Sequence, residues 1–120
     1  MNETTGYQVA LEEIHHTEKK DAPSGTAITL AQGIIRHHSI LKEWNLVGET
    51  EGSTSSIPIT SKRIDPAPGT HVVTYSSTID DIQLTHTAHS REGFALGAVL
   101  VSEWIIGKKG ILSMDDFLKF

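Results

Sequence analysis

Between residues 7 and 38 the sequence passes from a strand pattern through a polar run to a helix pattern, and this succession constrains the fold most. Residues 7–14 have the apolar alternation of a β-strand. They lead into His-His-Thr-Glu-Lys-Lys-Asp-Ala-Pro-Ser-Gly-Thr-Ala at residues 15–27, in which Ser24 is a candidate helix N-cap. An apolar stripe then predicts a helix over residues 25–38. Cationic side chains thus meet the free N–H groups of a helix start, which favours binding of a carboxylate or phosphate.

The rest of the chain predicts a mixed α+β fold. Strands are expected at 57–64, 71–78 and 82–89, a helix at 91–107, and a short helix capped by Ser113, whereas residues 39–56 have no definite pattern. We therefore expect a mixed sheet of about four strands, with helices packed on one face and the other face used in oligomerisation. The helix at 91–107 is apolar on most sides, so it is expected to be buried on most sides.

Composition excludes several classes of function. A chain of 120 residues is one domain, and its net charge of −5 argues against general nucleic-acid binding. The absence of cysteine excludes disulfides, thiolate metal sites and a cysteine nucleophile. The apolar tract at 94–106 is too short for a membrane span and contains Glu103, and the N-terminus has no signal-peptide pattern, so we expect a cytoplasmic protein. Because strand sequence begins almost at once, we also expect the chain to be part of a longer protein.

Several residues have simpler structural interpretations. Zinc requires three or four matched ligands, and adjacent histidines on an extended chain point to opposite sides, so no metal is predicted at His15 and His16. The turn around Gly25 lacks the spaced glycines of a phosphate loop and the pattern of a nucleophile elbow. Arg91 at a helix start opposes the helix dipole, which suggests that it contacts a carboxylate, a ligand or another domain.

The run from His15 to Ala27 resembles the signature of the dihydrodipicolinate (4-hydroxy-tetrahydrodipicolinate) reductase family. A second matching stretch contains Arg63, His71, residues 84–86 and residues 90–99, so the resemblance covers nearly the whole chain. It implies the C-terminal substrate-binding and tetramerisation domain over residues 1–120. No Gly-x-Gly-x-x-Gly follows a strand, so the family's N-terminal Rossmann domain is absent from this chain.

The resemblance also implies a reaction and a set of roles. In the family, NADH or NADPH reduces a cyclic imine dicarboxylate on the route to diaminopimelate and lysine. By motif position, His15 and Lys19 are the candidate proton donors, and His16, Lys19, Gly25 and Thr26 are expected to bind the substrate carboxylates. The cofactor is expected mainly on the missing domain, with Arg91 as a candidate interdomain contact. The resemblance further implies a homotetramer, and the isolated domain is expected to be inactive.

Two other functions remain open at this point. The chain could be an assembly or ligand-sensing module without chemistry, although a pure scaffold has no need of His15, His16 and Lys19. It could also be the substrate domain of another imino-acid or amino-acid dehydrogenase, which the full match at 21–27 disfavours. The pattern does not distinguish NADH from NADPH, or His15 from Lys19 as the proton donor.

Overall fold

The computed structural model describes residues 6–119, which divide into two units between His89 and Ser90. The first unit is a five-stranded sheet with one helix. Its elements are β1 (Gln8–His15), α1 (Gly25–Arg36), β2 (Glu43–Leu46), β3 (Ser56–Arg63), β4 (Gly69–Ser76) and β5 (Asp81–Ala88). The second unit contains α2 (Glu92–Trp104) and α3 (Met114–Leu118).

The sheet is mixed, and β1 lies at its centre in the order β2-β3-β1-β4-β5. Strand β1 pairs in parallel with β3 and antiparallel with β4. The carboxyl ends of β1 and β3 therefore meet the beginning of β4 at one edge of the sheet. In this register His15 lies opposite Arg63, and Glu13 lies opposite His71. Polar residues far apart in sequence become neighbours for this reason.

The connection between β3 and β4 crosses the end of β1, because these two strands flank it. Residues 64–68 form the connection. The backbone N–H of Ile64 donates to the carbonyl of His15 at 2.8 Å. Asp65 accepts hydrogen bonds from the Thr17 N–H at 2.9 Å and the Thr17 hydroxyl at 2.7 Å. The segment after β1 is thereby attached to the connection above it.

The core lies between α1 and one face of the sheet. Helix α1 contributes its small residues Ala27 and Ala31, which are fully buried and allow close approach. The alternation of β1 directs Val9 and Leu11 into this core. The same alternation carries the polar residues Glu13 and His15 into buried positions at the end of the strand.

The α+β class and the mixed sheet are confirmed, but the sheet has five strands rather than four. The additional strand, β2, lies within residues 39–56, which have no definite pattern in the sequence. Four residues are too few for a clear period-2 signal, and this strand forms one edge of the sheet. The first helix ends at Arg36, two residues earlier than predicted.

The prediction that the second helix is buried on most sides is wrong for the described residues. None of the α2 residues is buried, and Phe94, Leu96 and Val99 are at least half exposed. An apolar pattern indicates that a surface favours burial, but it does not show that the same chain covers that surface. The predicted cap at Ser113 is confirmed, because Ser113 and Asp116 form a capping box at the start of α3. No helix within residues 6–119 combines the length and apolar character needed to cross a membrane.

Candidate functional site

The carboxylate of Glu13 is the centre of a buried polar cluster at the end of β1. Arg63 donates to it through Nη1 to Oε2 and through Nη2 to Oε1, both at 3.0 Å. The backbone N–H of Ser24 donates to Oε1 at 3.1 Å, and His15 Nδ1 makes a hydrogen bond to Oε2. Burial raises the pKa of Glu13, but hydrogen bonds from Arg63 and His15 outweigh it and leave the pKa below its ordinary value. Glu13 is therefore an ionised group with no exposed surface.

Arg63 connects this carboxylate to the loop that follows β1. Its Nε donates to the Lys19 carbonyl at 3.2 Å, and its Nη2 also donates to the Asp21 carbonyl at 2.6 Å. The second hydrogen of Nη1 is directed to the carbonyl of Lys62 at 2.8 Å. All five guanidinium N–H groups thus have acceptors, in the fork geometry that arginine alone provides. The side chain holds the Lys19 loop against β1 and β3.

Two histidine rings meet beside this pair. His15 and His71 make an edge-to-face contact with their centroids 5.1 Å apart. His71 Nε2 makes a hydrogen bond of 3.0 Å with the Ser24 hydroxyl, and the oxygen of this hydroxyl accepts from the Ala27 N–H at 3.2 Å. Burial lowers the pKa of His71, and electrostatic repulsion between the His71 and His15 rings when both are protonated lowers it further, so the neutral form of His71 is favoured. A Cβ at Gly69 would lie 3.1 Å from His15 Nε2, so a glycine there lets β4 approach the ring.

The loop after β1 presents the remaining cationic groups. Lys19 Nζ lies 3.0 Å from the carboxylate of Asp21, and the Lys19 side chain is 23% exposed. His16 is half-buried, and its charge helps to lower the pKa of Asp65, which is lowered mainly by the hydrogen bonds from Thr17. His15 and His16 therefore interact with different neighbours, as expected for adjacent residues at the end of a strand.

The start of α1 supplies hydrogen-bond donors to the same region. The N-cap prediction is confirmed, because the Ser24 hydroxyl accepts from the N–H of Ala27. The first N–H groups of the helix, at Gly25 and Thr26, have no acceptor within the helix itself, and both residues are exposed. Ser24 links this helix start directly to Glu13.

The structure brings most of the predicted residues into one cluster. His15, the main chain of Lys19 and the start of α1 are all tied to Glu13 and Arg63. Arg91 belongs to the second unit, where it precedes α2. Within residues 6–119, no group of three histidine or acidic side chains is arranged to hold a metal ion. The cluster combines an imidazole, an ammonium group and backbone donors, which can bind an anion and supply a proton.

Sequence reasoning did not identify Glu13 or the Ser24–His71 hydrogen bond. A signal for Glu13 was present, because period-2 alternation from Val9 and Leu11 places Glu13 and His15 on the core face. A carboxylate on a core face requires a buried cation or several donors. The partner, Arg63, is fifty residues away in sequence, and only the parallel pairing of β1 with β3 brings it close.

Comparison with known proteins identifies the family. The family model for the C-terminus of dihydrodipicolinate reductase matches residues 1–118. The chain is 55% identical to the 4-hydroxy-tetrahydrodipicolinate reductase of Christiangramia forsetii, over 93% of this chain and 46% of that protein. It is 36% identical to the reductase of the same name from Syntrophus aciditrophicus, over 98% of this chain and 47% of that protein.

A solved structure agrees with the sequence relatives. "Dipicolinate bound Dihydrodipicolinate reductase" from Paenisporosarcina sp. TG-14 superposes with a TM-score of 0.64 and 26% identity, covering 87% of this chain and 42% of that one. The chain spans about half the length of the curated relatives it matches. It belongs to the family of dihydrodipicolinate reductase C-terminal domains.

Proposed function

We propose that this chain is the substrate-binding half of a 4-hydroxy-tetrahydrodipicolinate reductase, acting in diaminopimelate and lysine biosynthesis. The observation that carries the proposal is the buried Glu13–Arg63 pair, which gathers His15, the Lys19 loop and the start of α1 at one sheet edge. A pure assembly module would not need this arrangement. The related Paenisporosarcina protein is described as dipicolinate-bound, and dipicolinate is a planar ring with two carboxylates.

The substrate carboxylates are assigned to the cationic loop and the helix start. One carboxylate accepts from the N–H groups of Gly25 and Thr26, where the helix dipole favours an anion. Lys19 and His16 supply positive charge to the same ligand. Since Lys19 pairs with the 62%-exposed Asp21, the incoming carboxylate takes the place of Asp21 at Nζ. Exposed pairs of this kind contribute little free energy, so the exchange costs little.

Proton supply is assigned to His15 or Lys19. Hydride addition to a conjugated imine leaves an electron-rich enamine, which must gain a proton to give tetrahydrodipicolinate. A histidine suits this role near neutral pH. Because Glu13 occupies Nδ1 of His15, the proton leaves from Nε2. The ammonium group of Lys19 is the alternative source.

The described residues do not fit a nicotinamide dinucleotide. Strand β1 is followed by a segment that lacks a glycine-rich turn, and β4 and β5 are antiparallel neighbours rather than members of a parallel doubly wound sheet. NADH or NADPH is therefore assigned to a domain outside this chain, with Arg91 as the candidate contact to that domain. The isolated chain is expected to bind substrate without reducing it.

Assembly and location follow from the same assignment. We expect a cytoplasmic homotetramer, as the family resemblance implies. The edge strand β5 supports self-association, because it is exposed along its length and includes the apolar residues Ile82 and Leu84, which are 40% and 65% exposed.

Binding of a planar diacid tests the proposal. Isothermal titration calorimetry of the chain with pyridine-2,6-dicarboxylate should detect one site. Lys19→Ala should weaken the affinity at least about tenfold, because it removes a charge-assisted contact. Lys20→Ala is the matched control, since Lys20 is an exposed neighbour, and its affinity should stay within about twofold of the wild type.

Two results would contradict the proposal. A wild-type chain that does not bind the diacid would favour an assembly module. Equal losses in Lys19→Ala and Lys20→Ala would indicate general charge attraction rather than a built site.

A further inference from the structure

We propose that Glu13 is a positioning residue that, together with Arg63, holds the hydrogen of neutral His15 on Nδ1 and leaves Nε2 to exchange a proton with the bound ligand. This inference rests on the proposed function for its catalytic meaning. The tautomer itself can be measured without any ligand.

The inference is based on the hydrogen bonds that the Glu13 carboxylate accepts. Oε1 accepts from Arg63 Nη2 and from the Ser24 N–H, while Oε2 accepts from Arg63 Nη1 and faces His15 Nδ1. An ionised carboxylate only accepts hydrogen bonds, and its low pKa keeps it ionised. The imidazole must therefore present an N–H at Nδ1, and in the neutral ring this leaves the lone pair on Nε2.

The other charged and titratable groups near His15 make their own contacts elsewhere, so Glu13 is the partner of His15 Nδ1. From β3, Arg63 is directed to Glu13 and to backbone carbonyls. From β4, His71 presents its Nε2 to Ser24 and touches the His15 ring at an edge. From the loop, Lys19 pairs with Asp21. From β5, His86 lies opposite His71, one strand further away.

Substitution of Glu13 by glutamine tests whether the carboxylate sets the tautomer of His15. An amide has one accepting oxygen and one donating NH2 group, so the NH2 must face two of the four donors. Arg63 and the Ser24 N–H can only donate, whereas an imidazole nitrogen can also accept. The amide nitrogen of Glu13→Gln should therefore occupy the Oε2 side, and His15 should shift its hydrogen from Nδ1 to Nε2.

Long-range 1H–15N NMR of the imidazole nitrogens reports this shift directly. It is measured on the 120-residue chain at about pH 8, with His15 signals assigned through His15→Asn. We expect the Nδ1–H form in the wild type and the Nε2–H form in Glu13→Gln. Glu12→Gln is the matched control, because Glu12 pairs with Lys62 at 2.6 Å instead of contacting His15; it should keep the wild-type tautomer. A role of Glu13 in stability alone would not move this signature.

Diacid binding separates this inference from the proposed function. Calorimetry of pyridine-2,6-dicarboxylate in two buffers of different ionisation enthalpy gives the protons taken up on binding. Uptake at pH 8 should fall severalfold in Glu13→Gln, because the proton would have to enter at Nδ1, which there accepts from the glutamine NH2 instead of facing a carboxylate.

An Nε2–H form in the wild type, or an unchanged tautomer in a folded Glu13→Gln, would overturn the inference even if the diacid binds. If the diacid does not bind while the wild type is Nδ1–H, the proposed function fails and the tautomer assignment stands. The wild-type spectrum decides the tautomer even where the variant does not fold.

Discussion

At the scale of single residues, the site depends on one buried charge. Burying a carboxylate is costly unless it is paired and fully hydrogen-bonded, and removing one partner of such a pair is strongly destabilising. Glu13 meets this requirement with four donors from three separate segments of the chain. The same bonds that compensate for burial also orient His15 and the start of α1. Stability and the geometry of the site are therefore coupled in this cluster.

Gly69 tests how rigidly the His15 ring is held. A Cβ there would lie 3.1 Å from Nε2 and 3.4 Å from Cδ2 of His15, and the ring cannot move away without loosening its bond to Glu13. Gly69→Ala should lower the free energy of unfolding by about 1–3 kcal/mol, as overpacking does, and should weaken diacid binding. Urea unfolding and calorimetry measure the two effects.

Gly33→Ala is the control for that substitution. Gly33 lies within α1 and a Cβ there would meet nothing within 4 Å, so alanine should raise the free energy of unfolding by up to about 1 kcal/mol. Equal stability of Gly69→Ala and the wild type would mean that the ring has room to shift.

The sequence predicted the cationic residues of the site better than their anionic centre. His15, Lys19 and the helix start are contiguous, so a single run of residues brings them together. Glu13 can be recognised as a site residue only from its contact with Arg63, and His71 only from its contact with Ser24. Both contacts depend on strand pairings, which local sequence patterns do not specify. The proton-donor roles of His15 and Lys19 and the carboxylate-binding roles of His16, Lys19, Gly25 and Thr26 all stay predictions.

At the scale of elements, predicted and observed boundaries agree where the pattern is long. Strands β1, β3, β4 and β5 lie within about two residues of their expected positions, because eight residues give a clear alternation. Strand β2 was missed because its four residues are stabilised by pairing with β3 rather than by their own pattern. The exposed α2 shows that apolar periodicity alone does not identify the surface that covers a helix.

Arg63 joins two elements, so its replacement should loosen the loop between β1 and α1. Arg63→Lys keeps the charge but cannot reach Glu13, Lys19 and Asp21 together, which leaves some of these acceptors, including oxygens of the buried Glu13 carboxylate, without donors. We expect a loss of about 1–3 kcal/mol in the free energy of unfolding. Amide hydrogen exchange over residues 17–24 should accelerate more than exchange in β5.

Lys62→Gln provides the comparison, because Lys62 precedes Arg63 and pairs with Glu12 through half-exposed side chains. It should change the unfolding free energy by no more than about 1 kcal/mol. If Arg63→Lys leaves exchange in the loop at the wild-type rate, the loop is held by other contacts.

At the scale of the whole molecule, the cluster makes stability depend on pH. His71 has a pKa below its ordinary 6.5, so below that value the unfolded chain binds more protons and folding is disfavoured. Its contribution is complete above 6.5 and is lost as pH falls through the folded pKa. Glu13 acts in the same direction at lower pH: its contribution is complete above its ordinary 4.5 and is lost as pH falls through its lowered pKa.

Urea unfolding between pH 4 and 8 should therefore show a free energy of unfolding that declines below about pH 6.5. In His71→Gln the first part of this decline should disappear, while the loss below about pH 4.5 remains. A variant with the same slope as the wild type between pH 5 and 6.5 would assign the decline to other groups.

The passage of residues 64–68 over the end of β1 limits how this domain can diversify. Two strand spacings, about 10 Å, separate β3 from β4, and a link of a different length would change where Asp65 lies relative to Thr17. A longer link would let Asp65 move away from Thr17, and the segment after β1 would then lose its attachment to the connection between β3 and β4. Insertions are tolerable at the hairpin tip near residues 77–80, remote from this edge, whereas new ligand preferences here must arise by exchanging side chains in a loop of fixed length.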